Sequence, residues 1–181
     1  MSDPVEQPRS WPPLAPFLVA FVVVVGLDQL SKIWALRALD TCAAAIEPRT
    51  FDLCLAFNQG MAFSLGRGAG PVIAVVAVAI VAVLGFSARK MPQLLPRILM
   101  GVVAGGAIGN VIDRAFRAPT AGVPDTVLRG AVVDFFYTSF WPTFNVADAC
   151  IVVGGVLLAI MLWRMPEDEH EPPPQSTSTA S

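Results

Sequence analysis

Four stretches of the chain are almost wholly apolar, and polar segments separate them. The first runs from Leu14 to Leu27 and extends through Asp28 to Trp34; the others run from Gly70 to Phe86, from Ile98 to Ile112 and from Val146 to Trp163. A hydrocarbon core of about 30 Å takes about 20 helical residues, so each stretch with its flanks is long enough to cross a membrane. Between the first two, Phe51, Leu53, Leu55 and Phe57 alternate with Asp52, Cys54, Ala56 and Asn58. Period two over this length predicts a half-buried strand. Asn58, Gln59 and Gly60 then supply turn chemistry before MAFS resumes an extended apolar pattern. The expected fold is membrane all-α: four transmembrane helices within residues 14–166, with a small β-sheet at about 43–66 against one membrane surface. Residues 1–13 and 167–181 are polar and rich in proline, and read as disordered tails.

Composition strengthens this picture. Of 181 residues, 55% are hydrophobic and 14% charged, with a mean hydropathy of +0.63, which is the balance of a membrane protein. The net charge of −2, without a Lys/Arg cluster, gives no footprint for nucleic acid. The first span reads as a retained helix, because the tail before it carries one Arg and no small-residue cleavage site follows. Cys42, Cys54 and Cys150 lack a metal-ligand spacing and read as unpaired small hydrophobes. The only histidine, His170, stands in the C-terminal tail, away from any site on the spans. No metal or cofactor is expected. In span three, Gly101, Gly105 and Gly109 recur every four residues, a face that lets another helix approach closely.

Orientation is less direct. Arg89, Lys90 and Arg97 lie between spans two and three, which the positive-inside rule assigns to the cytoplasm, together with both tails. Raw counting opposes this, since Lys32, Arg37, Arg49, Arg67, Arg114, Arg117 and Arg129 all fall on the other side. Carboxylates near several of these can pair with them.

Four aspartates, Asp28, Asp113, Asp134 and Asp148, sit inside or at the rims of apolar stretches. A carboxylate at membrane depth costs roughly 2.5 to 3.5 kcal/mol, so each needs a partner or a task. Asp28 and Lys32 are four apart and share a helical face, acid before base. Asn110, Asp113 and Arg114 stand near the end of span three, where Asp113 is expected to hold Arg114 or Asn110 in place. Asp134 differs, having Val132, Val133, Phe135 and Phe136 as neighbours and no adjacent cation; such surroundings raise a carboxyl pKa. Asp148 lies among Val146, Ala147, Ala149 and Cys150, just beyond Asn145. If these two meet, one shared proton leaves one base and one acid, a pair able to activate water against an amide. A proton-coupled membrane transporter subunit is the alternative, but transport sites usually lie near the midplane and these aspartates cluster at span ends on one side.

The order of the motifs is more telling than any one of them. DQLSK ends span one, NQGMAFS follows the strand, GGAIGNVIDR ends span three, and VVDFF precedes FNVADA at the start of span four. Together, over about Leu27 to Val153, they resemble lipoprotein signal peptidase, the bacterial signal peptidase II. The resemblance implies four transmembrane helices with both termini cytoplasmic, in the bacterial inner membrane, and a small extracytoplasmic sheet over the active site. It implies an aspartyl protease that cuts diacylglyceryl-modified prolipoproteins just before the lipidated cysteine and is blocked by the cyclic peptide globomycin. By motif, the catalytic pair is Asp134 and Asp148. The supporting positions are Asp28, Lys32, Asn58, Gly60, Asn110, Asp113, Arg114, Asn145 and Ala147. Two departures stand out: the segment from Arg114 to Val132 is longer than in the family, and that from Asp134 to Asp148 shorter.

Overall fold

In the computed structural model, residues 13–42, 51–60, 69–121 and 125–165 are described. The expected tails apart from residue 13, all of residues 43–50 and the MAFS segment lie outside them. The elements are α1 (Ala15–Ala38), β1 (Asp52–Asn58), α2 (Gly70–Lys90), α3 (Leu94–Phe116), β2 (Val132–Tyr137) and α4 (Val146–Arg164). All four helices are long and apolar enough to span a membrane. Pro16 and Pro71 sit in the first turns of α1 and α2, where a missing N–H costs no helical bond.

The helices are not equivalent. Half of the most apolar window of α3 is buried within the protein, against 22%, 11% and 17% for α1, α2 and α4, so α3 is the axis on which the others pack. The glycine ladder makes this possible. A Cβ at Gly105 would stand 2.8 Å from the Phe21 carbonyl oxygen, and one at Gly101 or Gly109 would overlap Phe17 or the Asp28 carboxylate. On the far side of α3, a Cβ at Gly106 would lie 2.6 Å from the Ala147 carbonyl oxygen. Two helices therefore touch α3 backbone to backbone, which no larger residue permits.

The sheet departs from the expected one. β1 pairs antiparallel with β2, with Ala56 opposite Asp134 and Asn58 opposite Val132. The partner strand is the VVDFF segment, which lies outside the expected sheet region at about 43–66. The register shifts between Leu53 and Ala56, so the strict alternation fails: Cys54 and Leu55 are both buried, while Leu53 and Phe57 are exposed. A bulge adds a residue on one strand and breaks the period of two. The expectation of unpaired cysteines is also overturned. Cys42 and Cys54 form a disulfide that ties β1 to the segment leaving α1, beside a Thr41–Leu55 bridge; Cys150 is free. The eleven residues between them in sequence, most of them polar or small, carried no signal for this pairing.

Candidate active site

The extended partner strand carries Asp134 to the end of the bundle where α1 and α3 finish and α4 begins. Asn145 caps α4: its side chain accepts from the Asp148 backbone N–H at 3.0 Å, and Asp148 Oδ2 accepts from the Asn145 N–H at 3.2 Å. This reciprocal box fixes Asp148 in the first turn.

Neutral amides then connect the two carboxylates. Asn145 Nδ2 donates to Asp134 Oδ1 at 2.7 Å and to Asn110 Oδ1 at 3.1 Å, while Asn110 Nδ2 donates to Asp148 Oδ1 at 2.8 Å. The remaining Asp134 oxygen accepts from Asn58 Nδ2 at 3.2 Å. Asn58 Oδ1 meanwhile holds the Gly60 N–H at 3.0 Å, and Arg114 reaches the Gly60 carbonyl at 3.1 Å. The turn after β1 is thus fastened to Asp134 at one end and to α3 at the other. Among the described residues, neither Asp134 nor Asp148 forms an ion pair. Burial, and then the neighbouring Asp148 charge, push the Asp134 carboxyl from its ordinary 3.8 up to about 7, against the opposing pull of the Asn145 and Asn58 hydrogen bonds and Lys32.

One layer deeper, the cluster changes character. Lys32, wholly buried, donates to Asp28 at 2.8 Å and Asn110 at 3.0 Å and pairs with Asp113 at 2.8 Å, which uses all three ammonium protons. Asp28 also accepts the Ala147 N–H at 3.1 Å, meeting an N–H in the first turn of α4 that has no helical acceptor. Here one expectation fails. Asp113 holds neither Arg114 nor Asn110; its partners are Lys32, Arg117 at 2.7 Å, the Val133 N–H at 3.2 Å and Gln29 at 3.3 Å. Neighbours on a helix point about 100° apart, so Asp113 faces α1 and β2 while Arg114 faces a cleft.

All eleven residues singled out from the sequence therefore fall within this connected cluster or beside it. Reading the sequence missed Arg117 and Gln29 as members of the cluster, and took Gln59, which lines the cleft, only for turn chemistry. Arg117 stands four beyond Asp113, the same spacing that marked Asp28 and Lys32, so its signal was present. Gln29 bridges Asp28, Asp113 and the Gly109 carbonyl across helices, which local spacing does not show.

The cleft has a volume of about 1340 Å³ and carries Asp134, Asp148, Asn58 and Arg114 at its polar end. Ile73, Ala77 and Ile80 of α2 and Val103, Ala107 and Ile151 of α3 and α4 continue it as an apolar wall. A peptide with a lipid-compatible flank suits such a surface.

Residues 20–164 match the family model described as signal peptidase (SPase) II. Lipoprotein signal peptidase of Mycobacterium leprae (strain Br4923) is 36% identical over 140 residues, covering 77% of this chain and 67% of the relative. That of Mycobacterium avium (strain 104) is 34% identical over 157 residues, covering 85% and 83%. A solved structure described as a bacterial membrane enzyme matches with a TM-score of 0.68 at 25% identity, covering 92% of this chain and 98% of its own.

Proposed function

Since this chain belongs to the signal peptidase II family, a group of membrane proteases that process lipoprotein signal peptides, we propose that it is a metal-independent aspartic endopeptidase. Its substrates are diacylglyceryl-modified prolipoproteins, cut just before the lipidated cysteine. The observation that carries this reading is the linkage of Asp134, buried, to Asp148, partly buried, through asparagine amides, with no ion pair from either to a cationic side chain among the described residues.

In this mechanism the pair shares one proton, which Asp134, pushed up to about 7 chiefly by burial, can hold. The ionised member takes a proton from a water as its oxygen attacks the scissile carbonyl carbon, and the protonated member gives its proton to the carbonyl oxygen. The resulting diol collapses when a hydroxyl proton returns to the pair and the pair's proton goes to the leaving nitrogen. The C–N bond breaks, and the dyad is left with one proton as at the start. The two carboxylates suffice for this, which is why metal independence belongs to the proposal. Asn58, Asn110 and Asn145 hold the carboxylates in place; Asp28, Lys32, Asp113 and Ala147 hold the helices that carry them; Gly60 and Arg114 fix the turn on the cleft wall.

The proposed orientation puts both tails in the cytoplasm and the site at the outer face of the bacterial inner membrane. The Cys42–Cys54 disulfide supports it, since disulfides persist in oxidising compartments and this one lies at the dyad end, opposite Arg89 and Lys90. Lys32, Arg114 and Arg117 are moreover spent inside the site, so they do not count as loop charges. Globomycin, as a cyclic peptide, is proposed to occupy the same cleft.

The test is cleavage of a diacylglyceryl-modified prolipoprotein by purified protein in detergent with a strong chelator present. Full activity is expected, and none on the unmodified precursor. Loss of activity that zinc restores would refute the dyad mechanism. Cysteines placed at Ser10 and Ser176 should resist an impermeant label applied to intact cells.

A further inference from the structure

Gln59 sits between the two most strongly positioned residues of its turn. Asn58 is bonded to Asp134, and the Gly60 carbonyl to Arg114, so the backbone that carries Gln59 is held on the wall of the cleft. Its side chain lines that cleft beside the dyad. Yet the amide nitrogen Nε2 is the one buried side-chain polar atom among the described residues that has no hydrogen-bond partner. Burying an N–H donor without an acceptor is unfavourable, and such groups are rare in folded proteins unless something arrives to meet them. Every other amide of this site is engaged: Asn58, Asn110 and Asn145 all donate to carboxylate or amide oxygens.

Resting on the function proposed above, we propose that Gln59 is a substrate-holding residue whose side-chain amide donates to a neutral carbonyl oxygen of the lipid-modified substrate in the cleft. The terminal torsion of a glutamine is soft, so the amide turns toward the cleft at little cost. Because the donor has no acceptor in the free protein, the bond is a net gain on binding and not an exchange for one already made. Carbonyl oxygens of this kind come from two sources: the peptide backbone around the scissile bond and the ester groups of the diacylglyceryl chain. A donor suits either, whereas a carboxylate at this position would face the oxygen with like polarity and add charge beside Asp134.

The test uses the full chain in detergent, with Gln59→Leu and Gln59→Glu compared with wild type on two synthetic prolipoprotein peptides. One carries an S-diacylglyceryl cysteine with ester-linked chains, the other its ether-linked counterpart, which lacks the lipid carbonyls. Gln59→Leu should raise KM about five- to tenfold with kcat within about twofold, the loss of one hydrogen bond. Gln59→Glu should be at least as poor. In the same preparation Gln59→Leu should not lower Tm and is expected to raise it by about 2 to 4 °C, because an unpaired buried donor has been removed. If the KM penalty disappears on the ether substrate, the acceptor is a lipid ester; if it persists, the acceptor is a backbone carbonyl. Wild-type KM for Gln59→Leu on both substrates, wild-type KM for Gln59→Glu, or a KM rise accompanied by a fall in Tm would overturn the assignment. A wild-type protein that cleaves neither substrate would refute the proposed function itself, which keeps the two failures apart.

Discussion

Asp28 and Asp113 meet cations, and Asp134 and Asp148 meet amides, although all four carboxylates share one end of the bundle. In the first pair every oxygen goes to Lys32, Arg117, Gln29 or a backbone N–H of another element, so these side chains lash α1 to α3, β2 and α4. The second pair accepts only neutral N–H groups. An amide orients a carboxylate without supplying a full opposite charge, which on the proposed mechanism leaves the proton free to move when a substrate arrives. Burial sets the scale: against the amide hydrogen bonds and Lys32 it lifts Asp134 to about 7, where a proton can be both held and released near neutral pH. On the function proposed above, the same residue type becomes a girder or a reagent according to the charge of its partner.

The largest expected effect breaks the reagent side. Asp134→Asn and Asp148→Asn should each lower turnover by about 10³-fold per folded molecule, since an amide cannot pass the proton that activates water. Asn retains one oxygen for the Asn145 contacts, so size exclusion should show normal folding.

Breaking the girder side should do the reverse. Asp113→Asn leaves Lys32 and Arg117 each short of a buried partner and should cost about 3 to 5 kcal/mol of stability, read as a lower folded yield with near-normal cleavage by the molecules that fold. If a well-folded Asp113 variant were dead while the Asp134 variant cleaved normally, the two roles would have to be exchanged.

A smaller effect tests the frame that brings β1 to the dyad. Replacing Cys42 and Cys54 together with Ser should remove about 2 to 4 kcal/mol, seen as a lower Tm without change in the other variants' ranking.

The finest test concerns Asn58 and pH. Between the ordinary carboxyl pKa of 3.8 and about 7, the folded chain retains a proton on Asp134 that the unfolded chain has lost, so this group's contribution to stability fades as pH rises through that window. The kcat/KM profile should fall on its alkaline side with an apparent pKa near 7 belonging to the pair. Asn58→Ala removes a donor that favours the charged form, so it should shift that limb upward and lower activity by about tenfold. A profile unmoved by the substitution, with full activity, would leave Asn58 only a turn former.

The chain itself determined the four spans, because apolar runs of membrane length have no other stable place, and α1 through α4 begin and end within a few residues of the flanked runs. It also determined which face of α3 is crowded, since glycines every four residues have one packing use, and that Asp28 meets Lys32, since residues four apart on a helix share a face. Pairings between distant segments were decided by tertiary structure alone. Asp113 turned to Lys32, β1 found its partner across 132–137, and Cys42 closed on Cys54. Local spacing records which side chains leave one element together. What they meet depends on how the elements are brought against one another, and around Asp134 that docking decided that amides, not cations, meet its carboxylate and that of Asp148.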